Sequence, residues 1–145
     1  CEADIEEWGY KFHMNDVCAT VGIENLKHAD DIISKHRENA AYYDEHLQNI
    51  DKVTLLKREK GFDSAFWIYS LKVEDRDKFY KHMDKCAIAV SQVHERNDKH
   101  TCVREFQAEL PSLDATIGKI VSIPVGWWLT PEEREYIVEC IKKGW

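Results

Sequence analysis

Positions Leu26, Ala29, Ile33, His36, Ala40, Tyr43, Leu47 and Ile50 step by three and four in alternation, drawing one stripe along an amphipathic helix that ends near Asn49. Asp30, Asp31, Lys35, Arg37, Glu38 and Glu45 fall off that stripe, as a solvated face should. Upstream, Val17, Ala19, Val21 and Ile23 make the first part of the helical run apolar, and Gly22 is a point of close packing or bending. Asn15 or Asp16 can accept hydrogen bonds from the open amides at the helix start. His36 sits on the apolar stripe, where a partly buried, hydrogen-bonded packing histidine is expected rather than a ligand.

Beyond residue 50 the period shortens to two. Val53-Thr-Leu-Leu56 reads as a short strand and Lys57 to Ser64 as a polar loop. Phe66 to Val73 is the best strand, with Trp67, Tyr69, Leu71 and Val73 on one face. Asp75 can cap a helix through Lys85 whose inner side is Phe79, Met83 and Cys86. Ile88 to Val93 and Ile120 to Val125 read as strands, the second at a sheet edge because Pro124 cannot donate to a ladder. A short helix is expected around Thr101–Phe106, and a turn at Leu110-Pro-Ser112. Thr130-Pro-Glu-Glu133 is a capping box with proline at the first helical position, opening a helix that turns Tyr136, Ile137, Cys140 and Ile141 inward. The fold class that follows is α+β: a long N-terminal helical segment, then a small, mainly antiparallel sheet with helices on one side. The expected division is 1–14 as lead-in and turn, 15–50 as the helical segment, and 51–145 as an α+β domain.

Composition narrows the partners. The 145 residues carry a formal charge of −7 with 43% hydrophobic content, an ordinary globular balance. Net negative charge argues against non-specific binding to nucleic acid or an anionic membrane, though a local cationic pocket for phosphate is compatible with it. No apolar run approaches the roughly 20 residues that span a bilayer, and no signal peptide is expected. Five scattered cysteines without a C-x-x-C fit reduced thiols and a cytoplasmic location. The chain opens on Cys1 rather than Met, which fits a piece of a longer polypeptide.

Two loops carry candidate chemistry. In Trp8-Gly-Tyr-Lys-Phe-His-Met-Asn-Asp16, Lys11 and His13 flank a turn that feeds a helix start, where a cation and helix-end amides can face a phosphate; a solvated lysine and histidine is the bland alternative. In His94-Glu-Arg-Asn-Asp-Lys-His100, two histidines, Arg96 and Asn97 at a strand exit can orient an anionic substrate, since guanidinium grips a carboxylate or phosphate through two bonds. His94, His100 and Cys102 as zinc ligands match no familiar spacing, and a plain solvated loop is the other reading. Trp127 and Trp128 can wall a ligand or a subunit contact, with packing over the domain's own core the expected role. No Walker A, G-x-G-x-x-G, H-E-x-x-H or G-x-S-x-G signature occurs.

The stretch Gly9-Tyr-Lys-Phe-His-Met-Asn-Asp-Val-Cys-Ala-Thr-Val-Gly-Ile-Glu-Asn-Leu26 resembles the segment that links the large and small domains of DegT/StrS-type sugar aminotransferases. These are pyridoxal-phosphate (PLP) enzymes of the aspartate aminotransferase fold. The resemblance continues in order through His36-Arg-Glu-Asn-Ala-Ala-Tyr-Tyr43, Trp67-Ile-Tyr-Ser70, Val93-His94, Ser122-Ile-Pro-Val125 and Thr130-Pro-Glu-Glu133. It implies a C-terminal portion: the interdomain helix and small domain of a fold-type I PLP enzyme that uses an amino-acid donor on a nucleotide-linked keto-sugar. The family's Schiff-base lysine, the acid facing the pyridinium nitrogen and most of the phosphate cup would lie upstream, so no catalytic residue is expected here and PLP would be bound by the full-length parent. The resemblance places Lys11, where many relatives carry asparagine, and His13, where many carry arginine, at the cofactor phosphate of the partner subunit in a homodimer. It places His94, Arg96, Asn97 and His100 on the substrate side. A freestanding binding or dimerisation module derived from the family, or part of a PLP-dependent sugar dehydratase, are the alternatives.

Overall fold

The computed structural model describes residues 4–11 and 14–145; His13 lies outside the described residues. Helix α1 spans Asp16–Leu26, and the Asn15 side chain caps it by accepting from the Cys18 amide at 2.9 Å. Helix α2 spans Ala29–Leu47. The expected helical segment is therefore interrupted: Lys27 and His28 close a tight turn by donating to Glu24 and Asn25 at 3.2 and 3.0 Å.

Strand β1 (Val53–Leu55) pairs antiparallel with β2 (Tyr69–Val73), which pairs antiparallel with β3 (Ile120–Ile123). The order β1-β2-β3 puts β3 at an edge. Tyr69, Leu71 and Val73 are buried while Ser70 and Lys72 are half-buried, which is the alternation the sequence predicts. Trp67 departs from it: it precedes the strand and is 71% exposed. Ile88–Val93 forms no strand either. Only Ser91 meets the sheet, exchanging backbone bonds with Ser122 at 3.1 and 2.7 Å.

The reason lies in how helix α3 (Arg76–Lys85) ends. Asp75 caps its start, and its last turn closes in a Schellman arrangement: Ile88 donates to the Met83 carbonyl and Ala87 to Asp84, both at 2.9 Å. Ala87 takes φ 57°, a left-handed conformation that usually falls to glycine. The closure spends Ile88 on the helix end, where it is buried, instead of on a ladder.

Two 3₁₀ turns (Asn97–Lys99 and Thr101–Phe106), α4 (Pro111–Ile117) and α5 (Pro131–Lys143) complete the chain. Thr130 and Glu133 form the expected capping box on α5. Its buried residues are Ile137, Val138, Cys140 and Ile141, whereas Tyr136 is exposed and donates to the Cys86 carbonyl at 3.2 Å.

One core cluster joins Ala40, Tyr43 and Leu47 of α2, the inner face of β2, Phe79 and Met83 of α3, Val121 and Ile123 of β3, and α5. Polar ties fix the edges of this core. Tyr43 donates to the Pro124 carbonyl at 2.8 Å. Asn39 donates to the Val125 and Gly126 carbonyls and accepts from Arg134. His36 holds the Phe66 carbonyl through Nδ1 at 2.8 Å, the packing role its place on the stripe predicts.

Candidate functional site

The Ser91–Ser122 bridge delivers residues 92–100 to the exit of the sheet. There a cleft of about 230 Å³ is lined by Trp67, Ser91, Val93, Ser122, Gly126 and Trp128, among others. Trp128 folds back so closely that a methyl group on Gly126 would overlap its ring, and its edge meets His36 with centroids 6.4 Å apart. Both tryptophans of the Gly126-Trp-Trp loop are more than half exposed, so they do not pack over the core as the sequence reading expects. A larger hollow of about 590 Å³, lined by Lys57, Arg58, Phe62 and Phe66 among others, shares no lining residue with the 94–100 loop.

His94 is exposed at the cleft and meets Trp67 at 6.2 Å between ring centroids. Arg96 is turned inward. Its Nε and Nη2 donate to the two oxygens of Asp98 at 2.8 and 2.5 Å, and its Nη1 donates to Asp114. Bonds to Asp98 first, and then to Asp114, raise the Arg96 pKa, and Arg96 in turn holds the Asp98 carboxyl below its ordinary value. The guanidinium fork expected to grip substrate therefore grips carboxylates of its own chain and shapes the loop. Asn97 is exposed and opens the first 3₁₀ turn.

His100 is held from the far end of the chain. Its Nδ1 accepts from the Ile5 amide at 3.3 Å, and the Asp4 carboxylate lies 3.7 Å from the same nitrogen. Thr101 donates its amide to Asp4 Oδ1 at 2.9 Å and its hydroxyl to Oδ2 at 2.6 Å, and the Cys102 amide donates to the Ile5 carbonyl at 2.9 Å. The Thr101 bonds hold the Asp4 carboxyl below its ordinary range. The acidic opening, which reads as a lead-in, is thus fastened to the 100–102 turn.

Lys11 is exposed on the segment before α1, and no hydrogen bond joins it to the 94–100 loop among the described residues. The sequence-predicted residues therefore fall in two places: Lys11 before α1, and Arg96, Asn97 and His100 in one loop with His94 at its cleft end. Asp98, Asp114, Asp4 and Thr101 are partners that residue-type reasoning passed over. Asp98, two residues from Arg96, carries a local signal; Asp4 and Thr101 carry none, because only the fold brings them together.

Among the described residues no group of three or more His, Cys, Asp and Glu side chains is placed to hold a metal ion, so His94, His100 and Cys102 do not form one. Cys18, Cys86, Cys102 and Cys140 are unbridged. No helix among the described residues is long and apolar enough to cross a membrane.

Residues 2–142 match the DegT/DnrJ/EryC1/StrS aminotransferase family. The chain is 31% identical over 138 residues to GDP-perosamine synthase of Escherichia coli, covering 93% of this chain and 37% of that protein. It is 23% identical over 141 residues to the erythromycin biosynthesis sensory transduction protein EryC1 of Saccharopolyspora erythraea, covering 94% and 38%. The crystal structure of the sugar aminotransferase CalS13 from Micromonospora echinospora superposes with a TM-score of 0.87 at 44% identity, covering 100% of this chain and 39% of that one. AtS13 from Actinomadura melliaura gives 0.85 at 42% identity, covering 98% and 38%. The chain thus spans about 38% of the length of such relatives.

Proposed function

The chain belongs to the DegT/DnrJ/EryC1/StrS aminotransferase family, and on that premise we propose that it is the C-terminal portion of a PLP-dependent aminotransferase acting on a nucleotide-linked keto-sugar. In this reading 1–14 is the lead-in and turn, 15–50 the interdomain helical segment and 51–145 the small domain. The working unit is a homodimer in the cytoplasm with an amino-acid donor.

The observation that carries this reading is the state of α1. It has no buried residue, although Val17, Val21, Ile23 and Leu26 are apolar, and the exposed Lys11 stands just ahead of it. An apolar helix finds no partner in its own chain when that partner is another part of the assembly. The same region tests the fit of the cofactor. Lys11 offers an ammonium that would hold the phosphate of PLP, a role it would share with His13. In this reading the chain contributes to the phosphate end of a PLP site and does not constitute the whole of one.

When bound, PLP supplies the electron sink for moving an amino group, and the protein supplies binding, orientation and electrostatics. This chain's share would be a point charge at the phosphate from Lys11, and at the substrate a polar loop of His94, Asn97 and His100 held in shape by Arg96. The full-length protein, given PLP, an amino-acid donor and a panel of nucleotide-linked keto-sugars, should yield an amino sugar by mass spectrometry. Replacing Lys11 by Ala should weaken PLP binding about tenfold, the loss of one charge-assisted contact. A deoxygenated sugar in place of an amino sugar would establish the dehydratase, and no conversion of any keto-sugar would overturn the reading altogether.

A further inference from the structure

Residues 4 and 5 make four bonds to residues 100–102, which lie 95 or more residues further along the chain. Two of them end on one carboxylate, Asp4, and come from the amide and the hydroxyl of a single residue, Thr101. The other two run between the Ile5 backbone and its counterparts, His100 Nδ1 and the Cys102 amide. One backbone bond and three side-chain bonds thus anchor the C-terminal end of the His94–His100 loop. The N-terminal end is anchored by Ser91 on Ser122, and the middle by Arg96 on Asp98 and Asp114.

We propose that Asp4, acting through Thr101, is a positioning residue for this loop: the 4–5 segment straps the loop to the start of the chain and fixes His100 in one tautomer. Because the Ile5 N–H donates to Nδ1, the neutral imidazole carries its proton on Nε2. His100 then presents a single donor, suited to an acceptor oxygen of a sugar hydroxyl or a phosphate. The strap lies on the same segment that runs on to Lys11. This inference rests on the substrate role proposed above for the loop.

Two readouts test it separately from that role. In the 145-residue chain, imidazole ¹⁵N chemical shifts should show His100 as the Nε2–H tautomer at neutral pH, and Asp4→Ala should turn it into a mixture while circular dichroism is unchanged. In the full-length protein, Asp4→Ala and Thr101→Val should each raise KM for the keto-sugar about tenfold with KM for the amino donor changed less than twofold. Asp4→Asn, which keeps an acceptor for the Thr101 amide, should recover most of the loss. An unmoved tautomer in Asp4→Ala would overturn the strap, as would equal changes in both KM values. If the wild-type protein converts no keto-sugar, the substrate reading fails and the tautomer measurement still judges the strap.

Discussion

Helices α1 and α2 follow one another with two residues between them, and both look apolar enough to be buried. Their fates differ completely. In α2, His36, Asn39, Ala40, Tyr43 and Leu47 are buried: the last three lie in the core cluster, His36 holds the Phe66 carbonyl, and Asn39 ties the Val125 and Gly126 carbonyls to Arg134 of α5. In α1 nothing is buried: Val17 is 73% exposed, Leu26 72% and Ile23 62%. The difference is one of register against the rest of the chain. The α2 stripe keeps one face toward the sheet for its whole second half, whereas the turn at Lys27–His28 swings α1 out of reach. A hydrophobic pattern says that a face wants cover; it does not say which polypeptide provides it.

Substitutions on the two sides should separate the buried face of α2 from the exposed face of α1. The largest effect is expected in the core that α2 joins: Phe79→Ala should cost about 3–5 kcal/mol in urea unfolding of the 145-residue chain. Phe79 is fully buried and edge-on to Trp145 at 4.8 Å, so little can collapse into the space. Asn39→Ala should cost about 1–3 kcal/mol by the same measurement, because it removes the side-chain donor to two carbonyls and one acceptor of Arg134. Ala87→Gly should change stability in the other direction, by about 1 kcal/mol, since the left-handed residue that closes α3 has a Cβ it would do better without.

A smaller and pH-dependent term belongs to Asp44. Burial raises its pKa, but bonds from Arg58 and Tyr69 outweigh that and hold the carboxyl below the ordinary 3.8. A lowered folded-state pKa contributes stability that is present above the unfolded value and lost as pH falls through the folded one. Wild type should therefore lose stability below about pH 3.8 in a way that Asp44→Asn does not, checked by urea midpoints between neutral pH and the acid limb. The smallest effect should fall on α1. Val21→Ser, at an exposed site, should move the stability of the 145-residue chain by less than about 0.5 kcal/mol. The same change in the full-length protein should cost clearly more; equal effects in both would break the contrast between the two helices.

Much of this was legible in the residues. The Asp75 cap and the Thr130 capping box are local signals that form as read, as do the alternation from Tyr69 to Val73 and the stripe from His36 to Leu47; Trp67 and Leu26, at the outer ends of those two patterns, are exposed. What escaped is non-local or competitive. Ile88–Val93 has strand composition, but the end of α3 claims Ile88 and only Ser91 reaches a ladder. Trp67 and Trp128 have core chemistry, yet they stand at the rim of a cleft. Arg96 has substrate-binding chemistry, and two aspartates of its own chain satisfy it. The Asp4–Thr101 clamp spans residues no pattern relates.

The central claim, that this chain holds one end of a PLP site and not the whole, has a direct test. The purified 145-residue chain is mixed with PLP, treated with borohydride and mapped by mass spectrometry. The account predicts only scattered, substoichiometric pyridoxyl labels on surface lysines and no saturable cofactor absorbance. A stoichiometric adduct at one lysine would contradict it.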